Sequence, residues 1–168
     1  MSITNLIEKN LIETTMQSFV GRSILLPGTL DDAKIGKTSN LDTANVNKTV
    51  LLSLTRKHRY IGEAWYSKQI LLKDNIDQAE LFLERVIWKT ECWIDGKYVG
   101  SLESLSAAQK FFLGNLKAGR HNIVLKIDNR KQYDISFNDF AHAYTDGTQI
   151  MWNGVIGKVE LRGVRDNM

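Results

Sequence analysis

Short segments in which apolar and polar side chains alternate follow one another along most of this chain, and they constrain its fold more than any other feature. Alternation with a period of two places the apolar side chains of a strand on one face of a sheet. The segments that predict strands are residues 19–26, 50–55, 64–72, 80–86, 90–94, 97–100, 110–113, 121–128 and 158–162. Because amphipathic helical spacing is nearly absent, the pattern predicts an all-β fold, an antiparallel β-sandwich.

The connections between these segments refine the prediction. Asp95-Gly96 separates two strand-like segments and is typical of a type I′ hairpin turn. Pro27-Gly28 ends the first segment and is typical of the centre of a type II turn. Long connections at residues 29–47 and 129–153 alternate with such tight turns, which favours the jelly-roll form of the sandwich.

A chain of 168 residues is long enough for one well-buried domain and short for two. Near its start, Ile3, Leu6, Ile7, Leu11 and Ile12 have a rough helical spacing. We therefore predict an N-terminal extension over residues 1–18, loose or forming a short helix, and a single domain over residues 19–168.

Charge and apolar content argue against two classes of partner. The 22 Lys and Arg are scattered among 19 Asp and Glu, and no basic run contains interleaved aromatic residues. No apolar segment approaches the length of a membrane-spanning helix, and residues 1–15 lack the pattern of a signal peptide. We therefore expect neither nucleic acid nor a membrane as a partner.

Side chains suited to metal or redox chemistry are few. The single cysteine, Cys92, rules out an internal disulfide and is expected to be a buried, inert thiol. His58, His121 and His142 lie far apart and show no zinc-binding spacing. We therefore expect no cofactor and no metal site, although a calcium ion held by backbone carbonyls would leave no signature in the sequence.

The richest candidate for a binding site is the segment HAYTDGTQIMWNGVIG at residues 142–157, which runs into the last strand. Aromatic faces suit the apolar side of a sugar ring, and amide, imidazole and hydroxyl groups suit its hydroxyls. An ordinary connecting loop is the alternative. With the residue that follows the strand at 121–128, the candidate substrate-binding residues are Asn129, His142, Tyr144, Gln149, Trp152 and Asn153.

Each of these candidates has a structural alternative. Asn129, Gln149 and Asn153 are also typical of turn-capping amides. The imidazole of His142 is equally suited to bonding with backbone groups of its own loop. For Trp152, its place at the entry to the last strand favours a role in the core over stacking on a sugar.

Further side chains are assigned structural roles. Asp128 is better placed in sequence to hold Arg130 than to bind a sugar. Trp65 and Trp88 are predicted to be structural, with Trp65 in the core. Trp93, close to the Asp95-Gly96 turn, is predicted to fasten the hairpin to the core.

An ordered series of short motifs resembles the N-terminal sugar-binding domain of glycoside hydrolase family 2, which includes β-galactosidases, β-glucuronidases and β-mannosidases. The motifs are LPGTLDD (residues 26–32), LTR (54–56), YIGEAWY (60–66), LERV (83–86), WIDGKYVG (93–100), AGRH (118–121), IDN (127–129) and QIMWNGVIGKVEL (149–161). The series covers residues 23–162, and the sequences of its motifs most resemble the versions found in gut Bacteroidetes.

The resemblance implies a galactose-binding-like jelly roll that precedes an immunoglobulin-like domain and a TIM barrel. In such enzymes two glutamates of the barrel carry out retaining glycoside hydrolysis, so this chain is expected to have no activity of its own. Loops of the domain are expected to complete the sugar pocket of the barrel. The resemblance also places the parent enzyme in the periplasm or outside the cell.

Two functions from other classes stay open at this point. One is a free-standing carbohydrate-binding module on the same sandwich. The other is a purely structural or adhesive β-sandwich with no ligand.

Overall fold

The computed structural model describes residues 3–8, 21–38, 57–133 and 151–163, with the backbone alone described for residues 3–8. These residues form β-strands and no helix. The strands are β1 (Ile3–Glu8), β2 (Arg22–Leu26), β3 (Gly28–Thr29), β4 (Lys37–Thr38), β5 (His58–Arg59), β6 (Glu63–Leu72), β7 (Ile76–Arg85), β8 (Lys89–Ile94), β9 (Lys97–Glu103), β10 (Gln109–Leu116), β11 (Gly119–Asp128) and β12 (Gly154–Gly163). The prediction of an all-β fold is confirmed.

The strands form two main layers. One is a six-stranded sheet with the order β2-β1-β6-β11-β8-β9, and the other is a four-stranded sheet with the order β10-β7-β12-β3. β4 and β5 form a separate two-stranded ribbon, and every described pairing is antiparallel. The antiparallel β-sandwich is thus confirmed, whereas the jelly-roll connectivity stays a prediction.

The two sheets bury alternate side chains in a shared core. The inward residues of two interior strands are Ile123, Leu125 and Ile127 in β11 and Ala79, Leu81 and Leu83 in β7. Full burial of a Leu or Ile side chain contributes about 1.5 to 3 kcal/mol. The period-two pattern therefore reports the burial that holds the layers together.

The hairpin between β8 and β9 forms as predicted. Asp95 and Gly96 have φ angles of 50° and 76°, so both central residues are left-handed, as a type I′ turn requires. Cys92, in β8, is fully buried, and burial raises the pKa of its thiol to about 12. The prediction of an inert thiol is consistent with this environment, because the reactive thiolate is strongly disfavoured.

Residues 3–8 form a strand, so the prediction of a loose segment or short helix is wrong for them. β1 lies between β2 and β6, with Ile3 opposite Leu26 and Leu6 opposite Ser67. Pairing on both sides satisfies the backbone of β1, and such tertiary context outweighs a rough helical spacing. Residues 9–20 lie outside the described residues.

The type II turn predicted at Pro27-Gly28 is also wrong. Gly28 does not have the positive φ that the third position of such a turn requires. Instead, the Leu26-Pro27 bond is cis and Gly28 enters β3, where it lies opposite Val155 of β12. A Cβ at Gly28 would lie 2.7 Å from the carbonyl oxygen of Leu25, so close backbone approach is what requires glycine here.

The connection predicted at residues 29–47 is described only as far as residue 38. Within that part, Asp32 fixes a turn by accepting hydrogen bonds from the backbone nitrogen and the hydroxyl of Thr29 at 2.8 and 2.7 Å. The strand predicted at residues 50–55 lies outside the described residues.

Two tryptophans occupy a different face from the one predicted. Trp65 and Trp93 are half-buried on the outer face of the six-stranded sheet, because their neighbours Tyr66 and Cys92 point into the core. Trp93 does hold the hairpin, but through ring contacts on this outer face and not through the core. Strand parity decides this outcome, since adjacent residues in a strand point in opposite directions.

An ion pair ties the β8–β9 hairpin to the start of β11. Asp95 accepts hydrogen bonds from the backbone nitrogen of Asn122 at 2.7 Å and from His121 Nδ1 at 2.7 Å. The other ring nitrogen of His121 lies 2.8 Å from the carbonyl oxygen of Lys117. Since both nitrogens face acceptors, these contacts raise the pKa of His121 above 6.5, with Asp95 as the main cause.

The entry to β12 depends on a close approach between two backbones. Gly154 has a φ of +137°, and a Cβ there would lie 2.3 Å from the carbonyl oxygen of Gly28. Gly119 has a similar φ of +140°, but a Cβ there would meet nothing within 4 Å. The two glycines therefore share a backbone conformation and differ in their surroundings.

We predict that Gly154→Ala lowers the free energy of unfolding by about 2 to 4 kcal/mol, because backbone strain and overpacking add. Gly119→Ala is the matched control and is expected to cost only the strain, about 1 to 2 kcal/mol. Urea unfolding of the two variants measures the difference. Equal losses would show that the contact between β3 and β12 is not tight.

We predict a modest pH dependence of stability that passes through His121. Its raised pKa means that its contribution is complete below about 6.5 and is lost as the pH rises through the folded-state value. The stability difference between the natural protein and His121→Asn should therefore shrink between pH 6 and pH 9, by less than about 1 kcal/mol because the pair is near the surface. A difference that stays constant or grows with pH would contradict the assignment.

Candidate functional site

Several strand ends meet at one end of the sandwich. Asp128, the last residue of β11, lies opposite Glu63 at the start of β6 and Lys89 at the start of β8. Lys89 in turn lies opposite Glu103 at the end of β9. Gly154, where β12 begins, lies at the same end, because its neighbour Asn153 forms hydrogen bonds with Gly62 and Ile127. We call this region the loop end.

Asn153 links the elements of the loop end from inside. Its side chain is 1% exposed, and its Nδ2 donates to the carbonyl oxygens of Gly62 and Ile127, each at 3.0 Å. Its Oδ1 accepts from the hydroxyl of Tyr66 at 2.6 Å, and its backbone carbonyl accepts from Leu30 N at 2.9 Å. One buried amide thus joins the entries of β6 and β12 to the exit of β11.

Asn129 extends this network. Its side chain is fully buried, its Oδ1 accepts from the backbone nitrogen of Gly62 at 2.8 Å, and its Nδ2 donates to the carbonyl oxygen of Tyr60 at 2.9 Å. The Asn153 Nδ2 lies 3.5 Å from the same Asn129 oxygen. Buried amides must find partners, and these two find them within the protein. We call Asn129, Asn153 and Tyr66 the amide network.

Burial also fixes the chemical form of Tyr66. Its hydroxyl is deep in the core, and burial raises its pKa well above 10.0. It therefore remains protonated and donates to Asn153 at any ordinary pH. A fixed donor of this kind determines the orientation of the Asn153 amide, because only the carbonyl oxygen accepts.

At the surface of the loop end, Arg130 is held by two carboxylates. Its Nε and Nη2 donate to Asp128 at 2.9 and 2.7 Å, and Nη2 also donates to Glu63 at 2.6 Å. The predicted pairing of Asp128 with Arg130 is confirmed. Burial acts to raise the pKa of Asp128, but the hydrogen bonds and charge of Arg130 outweigh it and hold that pKa below 3.8.

This ion cluster does not have the properties of a glycosidase acid–base pair. A general acid needs a raised pKa so that it carries a proton at neutral pH. Asp128 has a lowered pKa, and both Asp128 and Glu63 bind the same guanidinium. What the cluster offers is a fixed set of polar groups, since the Arg130 side chain is 53% exposed.

A small aromatic cluster lies beside these polar groups. Trp88 and Met151 are buried together with Ile87, and the half-buried Trp152 packs against them. Tyr133 meets Trp88 edge to face at 6.4 Å, and a hydrogen bond to Glu103 raises the pKa of its hydroxyl. The predicted packing role of Trp152 is therefore visible in the structure. Its Nε1 is buried without a hydrogen-bond partner among the described residues.

The structure brings three of the predicted site residues together at the loop end and leaves three undescribed. Asn129, Trp152 and Asn153 lie there, with their polar or aromatic groups engaged as above. His142, Tyr144 and Gln149 lie outside the described residues, although Tyr133 and Met151, which flank residues 134–150, are both at the loop end. Contact of these six residues with a sugar stays a prediction.

Sequence reasoning missed several residues of the loop end. Tyr60 and Gly62 supply carbonyl acceptors to the amide network, and Glu63 supplies the second carboxylate to Arg130. The motif YIGEAWY contains all three, but nothing in a single sequence tells that it lies against residues 127–130. Backbone acceptors leave no sequence signal, because every residue carries one.

No metal cluster is found in the described ranges, and a small cavity lies between the sheets. Among those residues, no group of three or more His, Cys, Asp or Glu side chains is placed to hold a metal ion. A cavity of about 20 Å³ between the sheets is lined by residues such as Leu26, Leu81 and Leu125, and at most one water fits such a volume. No helix among the described residues is both long and apolar enough to cross a membrane.

Comparison with known proteins identifies the fold. The chain is similar to a family 2 β-galacturonidase from Eisenbergiella tayi, with 18% identity and a TM-score of 0.53, over 90% of this chain and 21% of that one. It is similar to a calcium-binding mutant of β-glucuronidase 2 from Bacteroides uniformis, with 21% identity and a TM-score of 0.60, over 95% of this chain and 17% of that one. A β-glucuronidase of glycoside hydrolase family 2 matches with 18% identity and a TM-score of 0.53, over 79% of this chain and 14% of that one.

These likenesses define the class of the fold: a β-sandwich domain of the kind that family 2 glycoside hydrolases contain. The resemblance found in the sequence motifs is thus confirmed at the level of the fold. The chain spans about a fifth or less of the length of these structures. No protein-family model and no curated protein matches the sequence.

We predict that Asn153→Ala lowers the free energy of unfolding by about 2 to 4 kcal/mol, because it leaves buried groups on Tyr66, Gly62 and Ile127 without their partner. Tyr66→Phe removes one of these bonds and is expected to cost about 1 to 2 kcal/mol. Asn115→Ala is the control, since the Asn115 side chain also bonds to the backbone, accepting from the nitrogen of Gln78, but at an exposed site. Denaturant unfolding measures all three.

The double variant Tyr66→Phe/Asn153→Ala tests whether the two side chains act together. Residues that share a hydrogen bond have non-additive effects, so its loss should be smaller than the sum of the single losses. Additive losses, or an Asn153→Ala cost no larger than that of Asn115→Ala, would show that the amide network does not hold the loop end.

Proposed function

We propose that this chain is the non-catalytic carbohydrate-binding domain at the N-terminus of a family 2 glycoside hydrolase. The observation that carries the proposal is the fold likeness, which covers 90% of this chain but only 21% of the Eisenbergiella tayi enzyme. The ordered motifs at residues 23–162 support it independently, because they are a property of the sequence alone. In this proposal the catalytic TIM barrel and an immunoglobulin-like domain are partners within a longer chain.

The loop end is the part of the domain that meets the sugar in this proposal. The amide network contains Asn129 and Asn153, which stand on either side of segment 134–150 in the sequence and are both fixed by buried hydrogen bonds. Within that segment, His142, Tyr144 and Gln149 carry groups that suit sugar hydroxyls and ring faces. The role of Asn129 and Asn153 is to hold this base, because their amides already have partners in the protein. Trp152 supports it through packing.

The polar groups at the loop end suit an uncharged, hydroxyl-rich ligand. Arg130 is balanced by Asp128 and Glu63, and Lys89 lies 3.7 Å from Glu103. Such paired charges offer donors and acceptors without a net positive field that would select an anion. We also propose that the parent enzyme acts in the periplasm or outside the cell, as the family resemblance implies.

A free-standing carbohydrate-binding module is the second candidate, and binding strength separates the two. A pocket that needs a barrel to complete it should bind sugar very weakly in the isolated domain. Strong binding at the loop end by the 168-residue chain alone favours the free-standing module. A purely structural sandwich predicts that substitutions in the loop change stability and nothing else.

We predict that Gln149→Ala in the complete enzyme lowers kcat/KM about 10-fold or more, as loss of one hydrogen bond to substrate does. Its melting temperature should stay within about a degree of the natural protein, because the proposal gives Gln149 a role in sugar binding and none in the core. Asn153→Ala should show the opposite pattern: reduced stability with kcat/KM close to normal in the folded fraction.

Gln69→Ala is the control for these assays, since Gln69 is exposed on β6 toward the far end of the sheet. Steady-state kinetics with an aryl glycoside and thermal unfolding give the two readouts. A Gln149→Ala enzyme with the kinetics of the Gln69→Ala control would remove Gln149 from the sugar pocket.

A further inference from the structure

Three buried side-chain atoms have no hydrogen-bond partner among the described residues, and all three belong to one neighbourhood. They are the hydroxyl oxygen of Thr90, the oxygen Oε1 of Gln109 and the indole nitrogen Nε1 of Trp152. Buried polar groups in folded proteins are bonded in the great majority of cases, either to the protein or to ordered water. Three unpartnered atoms in one neighbourhood therefore indicate that they share a partner.

The neighbourhood is centred on Trp88, just before β8 begins. Thr90 follows Trp88 by two residues. Gln109, the first residue of β10, reaches the same place by donating from Nε2 to the carbonyl oxygen of Trp88 at 3.2 Å. Trp152 packs against the buried cluster that contains Trp88. The three unpartnered atoms thus come from β8, from β10 and from the residues that lead into β12.

Thr90 and Gln109 approach this place from opposite sheets. Thr90 is at an inward position of β8 in the six-stranded sheet, and its residue is 0% exposed. Gln109 is at an inward position of β10 in the four-stranded sheet, and it is 2% exposed. No direct hydrogen bond joins the Thr90 hydroxyl to Gln109 Oε1. A group that bonds to both atoms would therefore connect the two sheets.

The bond to Trp88 fixes which atoms of the Gln109 amide are available. A carbonyl oxygen can only accept, so the atom that faces Trp88 must be Nε2 and the unpartnered atom must be Oε1. Oε1 requires a donor, the indole nitrogen of Trp152 requires an acceptor, and the Thr90 hydroxyl can do both. A metal ion would suit the two oxygens but not the indole, and an anion would suit the indole but not Oε1.

We infer that a buried water molecule is bound at this place and joins β8 to β10. It donates to Gln109 Oε1 and accepts from the Thr90 hydroxyl, and the Trp152 indole donates to the same water oxygen. Buried waters in proteins make about three hydrogen bonds to groups that the protein leaves unbonded. This site needs no sugar and no other domain, so it does not depend on the proposed function.

Thr90→Val in the 168-residue chain tests the inference through the sign of its effect. Valine has nearly the shape of threonine, with a methyl group in place of the hydroxyl. A buried hydroxyl without a partner destabilises the fold, so its removal would raise the melting temperature. A hydroxyl that bonds to a bound water stabilises the fold, and the melting temperature should then fall by about 2 to 4 °C.

Thr38→Val is the matched control, because Thr38 is an exposed residue of the short strand β4. It makes the same chemical change and should leave the melting temperature within about a degree of the natural protein. Thermal unfolding measures both variants. A Thr90→Val melting temperature that is raised, or that shifts no more than that of Thr38→Val, overturns the inference.

A crystal structure of the natural chain, at a resolution that shows ordered waters, gives a second test that does not require any variant to fold. The inference predicts a water within hydrogen-bond distance of both Thr90 Oγ1 and Gln109 Oε1. A side chain of residues 134–150 at this place, a direct bond between Thr90 and Gln109, or no density between them overturns it.

Discussion

The hydrogen bonds of the Asn153 side chain are the interaction on which the loop end depends. This one amide reaches the entry of β6 and the exit of β11, while its backbone joins β12 to the turn after β3. A buried amide with all its bonds made fixes the relative positions of its partners, whereas one with a missing partner carries a large penalty. The two sheets are thus locked together at the end that carries Tyr133 and Met151.

In the proposed function, the loop end must meet two requirements, a fixed position and recognition of a sugar. Asn129, Asn153 and Tyr66 are buried and hold the loop end in place. In the proposed function, recognition of the sugar belongs to other side chains, those of residues 134–150. The surface of the same end carries paired charges around Arg130, which give fixed donors and acceptors. In a larger enzyme, such an end can form one wall of a pocket without taking part in the chemical step.

Much of the fold was predictable because it rests on local rules. Alternation in β6, β7, β8 and β11 reports burial directly, and Asp95-Gly96 specifies its own turn. Tertiary pairing decided the rest: β1 is a strand because β2 and β6 flank it, and Gly28 is a glycine because the backbone of Leu25 is close. For the site, the sequence favoured amides and aromatic residues near β12. Whether each of these side chains contacts a ligand or holds the fold depends on its hydrogen-bond partners, which only the structure shows. Asn153 finds those partners 26 and 87 residues away, at Ile127 and Tyr66, and such distant pairs are invisible in a single sequence.

In the proposed function, the loop end meets a sugar through segment 134–150 while the amide network holds it from below. A crystal structure of the complete enzyme with a bound substrate analogue tests this claim most directly. The account predicts sugar hydroxyls within hydrogen-bond distance of Gln149 or His142, with the Asn153 amide still bonded to Gly62, Ile127 and Tyr66. A sugar bound with no contact to residues 129–153, or an Asn153 amide turned out toward the ligand, would contradict it.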